Sequence, residues 1–387
     1  FENAGGSLTL KSVVAVTAEQ VALPDNSGRD NPASRAVTQL IKQGKDDIRI
    51  FLNARAGVVV MGESATALLF RIIDAIGRNV SGSNVVTTNL DHPAVYDSTH
   101  WVADKYRKAW RVAGLDARTG LVDPAEIARH IDAETSLLAV IHSSNNLGTT
   151  HDAAAIVRAA RRVKPDLFVL VDGSQHVAHY PVDVERIGCD AYVFSTYKAF
   201  SKTSASFAWL SDRAACLPHE RLLGVPETAW ELGTRDQSGY AAWSKVIEYL
   251  GWLGSRFSPS RNTRDLVVAA MRAIEDHERA LTYRLLHGTP AVPGLLGMKN
   301  VSVYAETENL AVREPVLALN VGGKTSAQVV ALLGERGIRV ANRLSDYYSR
   351  HTLQALGIEE CVRVSLDHYN TPAEVDIFLK IMREASR

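Results

Sequence analysis

From residue 58 onward, short apolar runs take turns with longer stretches whose apolar positions recur every three to four residues, and this predicts strands and helices in alternation. The run at 58–60 passes through a glycine turn into a helix ending near Ile76. Further strands are predicted at 84–90, 136–142, 167–171, 191–194 and 206–211, with helices at 123–131, 152–163 and 240–251. The strand segments are apolar on both faces, which fits a largely parallel sheet covered by helices on each side. After the interruption FSPSRN the pattern changes to a helix at 263–286, a strand at 315–320, a helix at 326–337, a strand at 361–366 and a helix at 372–382. These shifts predict an N-terminal arm (1–20), a large α/β domain (21–257) and a smaller C-terminal α+β domain (258–387). The opening FENAGGSLTL, with Gly5 and Gly6, is expected to reach a pocket or a partner, and 24–35 is rich in turn formers and expected to be an exposed loop.

Composition narrows the classes. The 43 basic and 43 acidic residues cancel to a formal charge of +0, which removes the electrostatic case for a nucleic-acid or anionic-membrane partner. Three cysteines, Cys189, Cys216 and Cys361, are odd in number and far apart, so neither a disulfide framework nor a metal knuckle is expected and a cytoplasmic setting is the simplest. No apolar run approaches the roughly 18 residues of a membrane span. The chain begins at Phe1, so a removed targeting segment upstream stays open.

Chemistry gathers at strand ends. Asp172 closes one predicted strand, Gln175 follows in its turn, and Lys198 lies just beyond the next strand. In open α/β sheets ligands bind outside the carboxyl ends of strands, so these side chains can converge. An acid and a lysine so placed are what pyridoxal phosphate requires: the amine forms a Schiff base with the cofactor aldehyde, and the carboxylate keeps the pyridine nitrogen protonated. Taken singly, Asp172 is as readily a helix cap and Lys198 a solvated loop residue. Ser64 and Thr66 sit at a helix start suited to phosphate, although Ser64 is equally a capping residue. His92 ends another strand and offers a flat ring for stacking, and Asn145 occupies the loop after the 136–142 strand.

Taken together, NAGG at 3–6, GESAT at 62–66, DHPA at 91–94, SNNLGT at 144–149, VDGSQ at 171–175, FSTYK at 194–198, ELGT at 231–234 and VRVSLDHYNT at 362–371 resemble the class V aminotransferase family of fold-type I pyridoxal phosphate enzymes, in particular its cysteine desulfurase-like branch. The resemblance implies a mostly parallel seven-stranded sheet flanked by helices, a smaller C-terminal domain, pyridoxal 5'-phosphate as cofactor, no metal, and a homodimer. It implies Lys198 as the Schiff-base residue, Asp172 on the pyridine nitrogen and His92 on the ring. Asn145 and Gln175 would address the phenolic oxygen, and Ser64, Ala65, Ser195 and Tyr197 the phosphate, with Thr234 reaching it from the other subunit. Arg363 would grip the substrate carboxylate, with Asn145 and Tyr347 also facing the substrate.

Departures from the family pattern bear on the reaction. The loop at 339–350, RVANRLSDYYSR, lacks the persulfide-forming cysteine of the desulfurases, and its Tyr347 and Tyr348 are candidates for shaping the pocket or donating a proton. Cys189 and Cys361 are expected to be inert and buried. His176 stands where a small residue is frequent, and Ala199-Phe200-Ser201 replaces a glycine-proline turn. The expected function is cleavage of a carbon–sulfur bond in a small amino acid by β-elimination. Transamination or epimerisation on the same scaffold, and a non-catalytic cofactor-binding role, are the alternatives.

Overall fold

Seven short strands, nearly all buried, build the larger sheet: β1 (Val58–Gly62), β2 (Asn84–Thr88), β3 (Ala109–Ala113), β4 (Thr135–Ile141), β5 (Phe168–Asp172), β6 (Ala191–Ser195) and β7 (Ser206–Leu210). The structure is a computed structural model and describes residues 1–24 and 27–387. The strand order is β1-β7-β6-β5-β4-β2-β3. β7 runs antiparallel to both β1 and β6, and the pairings among β2, β3, β4, β5 and β6 are all parallel. Each strand of β4 and β5 is buried on both faces, as its unbroken apolar sequence requires. Two separate apolar cores lie on the sheet, one containing Val86, Leu138, Val171 and Phe194 and the other Val85, Leu137, Leu170 and Val193. Successive residues of one strand thus feed opposite faces.

The second sheet is antiparallel, formed by β8 (Val301–Val303), β9 (Val316–Val321), β10 (Ala341–Leu344) and β11 (Glu360–Ser365) in the order β10-β11-β9-β8. A third core, including Leu317, Val362 and Phe378, joins it to the helix Pro372–Ala385. That helix begins with a capping box in which Thr371 and Glu374 bond each other's backbone.

Register sets the site. Ile141 pairs with Asp172 and Asp172 with Val193, so β4 and β5 finish level, β6 runs two residues further to Ser195, and all three open onto the same edge. Loops leaving that edge therefore meet.

Several elements differ from the sequence expectation. The helix Pro32–Leu52 begins inside the stretch expected as a loop at 24–35, because Asn31 caps it by accepting from the Ser34 amide at 2.8 Å with Pro32 next in line; residues 25–26 of that stretch lie outside those described. The second half of the expected arm is the helix Lys11–Val21, packed on the helix Ser238–Gly254. Helix Pro93–Tyr106 and strands β3, β8 and β10 carry no strong apolar run and escape the periodicity altogether.

Candidate active site

Lys198 sits in a short turn after β6 and is 9% exposed, so it is no solvated loop residue. The turn is held from several sides. Thr196 Oγ1 donates to the Ala205 carbonyl at 2.6 Å, and Phe200 takes a left-handed φ of 63° that its neighbours fix: its amide donates to Ser7 Oγ at 2.7 Å, its carbonyl accepts from Leu10 N at 3.0 Å, and its ring meets His368 edge-on. Thus the alanine-phenylalanine-serine departure is anchored by the N-terminal arm.

The Lys198 ammonium donates to Gln175 Oε1 at 3.2 Å. Gln175 Nε2 lies 3.4 Å from His179 Nε2, and His179 Nδ1 lies 2.9 Å from buried Glu278. With the His179 proton on the Glu278 side, Nε2 accepts from the amide and the Gln175 carbonyl is turned toward the lysine. Burial brings the Lys198 pKa down to about 8, partly opposed by Asp172 and reinforced by Arg363 and Arg343. Asp172 is pushed up by burial and pulled back by the Ser174 hydrogen bonds and Lys198. Its Oδ1 accepts from the Ser174 amide at 2.9 Å. Gly173 lets the backbone turn there, since a Cβ would stand 2.1 Å from the Tyr192 hydroxyl.

His92 precedes the helix Pro93–Tyr106 and its Nδ1 accepts from the Ala94 amide at 3.1 Å, which leaves the proton on Nε2, 3.2 Å from the Tyr348 hydroxyl. Burial, then Lys198 and other nearby cations, lower its pKa to about 3, so the ring is neutral. Ala65 and Thr66 open the helix Ala65–Asn79 and also line the pocket.

One pocket is lined by Ala65, Thr66, His92, Asn145, Asp172, Gln175, Ser195, Tyr197, Lys198 and Arg363, so ten of the residues singled out in the sequence converge. Three do not line it. Ser64 caps its helix, its hydroxyl accepting from Ala67 N at 3.1 Å. Thr234 is exposed on its loop. Tyr347 is 79% exposed and does not line the pocket, whereas its neighbour Tyr348 does. His176 turns away from the pocket: it stacks on His142 at 3.5 Å between centroids and bonds Ser143 at 2.8 Å. None of the three cysteines lines the pocket; Cys189 and Cys361 are buried, and burial pushes the Cys361 thiol up to about 12.

The sequence reading missed Glu2, Ala4, Ser174 and Arg343. The arm runs beside β11, with Ser365 N donating to Phe1 O at 2.9 Å and Ala4 N to Ser365 Oγ at 2.8 Å, and this sets Glu2 Oε1 2.6 Å from Arg363 Nη2. A Cβ at Gly5 would meet that same carboxylate at 2.7 Å. Arg363 Nη1 donates to the Asn145 carbonyl at 2.9 Å.

The donor set suits the expected cofactor. Asn145 Oδ1 is buried without a partner, Asp172 faces the pocket at a strand end, and the helix start at Ala65–Asn79 with the Thr66 and Ser195 hydroxyls supplies phosphate donors. A ring with a basic nitrogen, a phenolic oxygen, an aldehyde and a phosphate would find Asp172, Asn145 with Gln175, Lys198, and that helix start respectively.

Comparison with known proteins agrees. The aminotransferase class-V family model matches residues 1–258 and 261–378. An aminotransferase-like protein of Gibberella zeae is 28% identical over 395 residues, covering 97% of this chain and 91% of that protein. A cysteine desulfurase of Yersinia pseudotuberculosis is 26% identical over 362 residues, with 89% of this chain and 82% of that protein covered. The apo structure of a cysteine desulfurase from Thermococcus onnurineus superposes with a TM-score of 0.84 at 23% identity, covering 100% of this chain and 94% of that one, a likeness of fold. No helix among the described residues is long and apolar enough to cross a membrane.

Proposed function

Because this chain belongs to the aminotransferase class-V family, a family of pyridoxal 5'-phosphate enzymes, we propose that it cleaves a carbon–sulfur bond in a small amino acid by β-elimination. The observation that carries this reading is the convergence of Lys198 and Asp172 in one buried pocket that no cysteine lines. Transfer of sulfur to an enzyme thiolate needs such a cysteine; elimination does not.

Bound in the pocket, the cofactor supplies a sink for the electron pair left on the substrate α-carbon. The other work falls to the protein. Asp172, buried at the strand end, would hold the proton of a ring nitrogen, and neutral His92 would offer a flat face to the ring without adding charge. Lys198, its pKa near 8, is available as a free amine to take the α-proton. Tyr348, bonded to His92, stands at the pocket wall as the acid for a departing sulfur. Arg363 orients the α-carboxylate, in competition with Glu2 for one edge of its guanidinium.

A homodimer fits the exposure of Thr234 and of Leu222 and Leu223 on the preceding loop, and a partner covering that loop would carry Thr234 to the neighbouring phosphate site. Unpaired cysteines suit the reducing cytoplasm.

The test is product analysis. Purified holoenzyme should release sulfide, pyruvate and ammonia from cysteine, and thiocysteine, pyruvate and ammonia from cystine, without accumulating pyridoxamine phosphate, while alanine, which has no β-leaving group, should yield none of these. Pyridoxamine phosphate without sulfide would refute the lyase and establish transamination.

A further inference from the structure

Two guanidiniums reach the pocket wall, and only one has an acidic neighbour. Arg343 on β10 and Arg363 on β11 both line it. Arg363 is committed at both ends, to the Asn145 carbonyl and to Glu2. Among the described residues the Arg343 side chain forms no ion pair and no hydrogen bond; its buried Nε lacks a partner, and its guanidinium carbon lies 5.5 Å from the centroid of the Tyr348 ring.

Sheet geometry fixes how the two relate. Arg363 pairs with Ala341, and Arg343 lies two residues along the same strand, so both project from one face as diagonal neighbours. Diagonal neighbours are separated by about 7–8 Å, with their Cβ atoms somewhat closer. That spacing suits two anionic groups on one small molecule better than a single carboxylate shared by two mutually repelling cations. A guanidinium facing a desolvated pocket without a counter-charge is also poorly compensated until an anion arrives. Glu2 adds a further requirement. The arm that carries it is pinned to β11, so a substrate α-carboxylate shares Arg363 with a resident carboxylate and is held less firmly than by a free fork.

We propose that Arg343 grips a second anionic group carried on the substrate side chain, so that the preferred substrate is an acidic amino acid, such as a cysteine whose sulfur substituent ends in a carboxylate. This rests on the reading of the pocket as the amino-acid site beside Lys198. Tyr348, whose ring lies near the Arg343 guanidinium and whose hydroxyl meets His92, links the anion seat to the reacting side of the pocket.

The experiment uses the cofactor-loaded Lys198→Ala variant, which cannot turn over, titrated by calorimetry with S-carboxymethyl-L-cysteine and with S-ethyl-L-cysteine, ligands of similar size that differ by one carboxylate. The acidic ligand should bind about tenfold more tightly, as one charge-assisted contact implies. Adding Arg343→Gln should bring the ratio to within about twofold, and Arg343→Lys should restore part of it. Equal affinities before the second substitution, or a preference that survives Arg343→Gln, would overturn the inference. Product assays on the wild-type enzyme keep the two claims apart: thiol release with no acidic preference sinks the anion seat alone, whereas an intact binding preference with no thiol or pyruvate released sinks the proposed reaction alone.

Discussion

Glu2 Oε1 lies 2.6 Å from Arg363 Nη2, a contact made across 361 residues of chain. Arg363 is almost wholly buried, and burial and the Arg343 charge bring its pKa down to about 10 while Glu2 opposes that shift. Glu2→Gln should therefore act in two directions. Removing the counter-charge of a buried guanidinium should cost about 1–3 kcal/mol of stability, read by denaturant unfolding. Freeing the Arg363 fork should lower KM for amino acids about threefold to tenfold, read by steady-state kinetics. An unchanged KM would show that the α-carboxylate does not use that edge.

Lys198 gives the site its pH dependence. Its pKa of about 8 means that the free amine grows about tenfold per pH unit below that value and levels off above it. Reloading apo-protein with pyridoxal phosphate, followed by visible absorbance, should accelerate with that profile, and Lys198→Ala should retain no cofactor after borohydride reduction and denaturation. Stability follows from the same shift. The folded pKa lies below the ordinary value of 10.5, so between about 8 and 10.5 the unfolded chain binds more protons and the contribution of this group to apo-protein stability rises with pH.

Gly173 offers a test of how Asp172 is aimed. A Cβ there would stand 2.1 Å from the Tyr192 hydroxyl, which is tied to His142 Nδ1 at 2.9 Å and cannot step aside freely. Gly173→Ala should cost about 1–3 kcal/mol through overpacking. It should also weaken cofactor retention on dialysis, since Asp172 immediately precedes the displaced backbone. Loss of stability with full cofactor retention would place the role of Gly173 in packing alone.

Cys361 is fully buried on β11, paired in register with Arg343, with its thiol pushed up to about 12. Cys361→Ala should leave the rate of sulfide or thiol release within about twofold and cost about 1 kcal/mol from the vacated volume. Abolished sulfur release in a folded variant would reinstate a thiolate route.

The sequence made the large sheet and the walls of the pocket legible for a physical reason: strands buried on both faces must be continuous apolar runs, and the polar residues that close or follow them, Asp172 at the end of one run and Lys198 in the short turn after the next, mark the strand ends. Loop residues leaving the same edge of a parallel sheet then meet without further information. Glu2 and Arg343 were hidden because their placement is set by tertiary pairing. Glu2 depends on the arm lying beside β11, and Arg343 sits on a strand, ANRL, whose residues are half-buried or exposed and show no apolar signal. Tyr347 and Tyr348 could not be told apart, since neighbouring residues in a loop exchange faces with a small change in backbone angle. Of the two roles a serine at a helix start can take, Ser64 shows the cap, its hydroxyl accepting from the Ala67 amide.

The helix Thr263–His287 buries Val267, Met271 and Ile274 in the core of the large sheet and Leu281, Leu285 and Leu286 in the core of the small one. Twenty-five residues of continuous helix, about 37 Å, make a rigid strut through both. Melting of either half removes a wall from the other, so calorimetry should trace one cooperative endotherm, and a proline placed near the middle of that strut should split it.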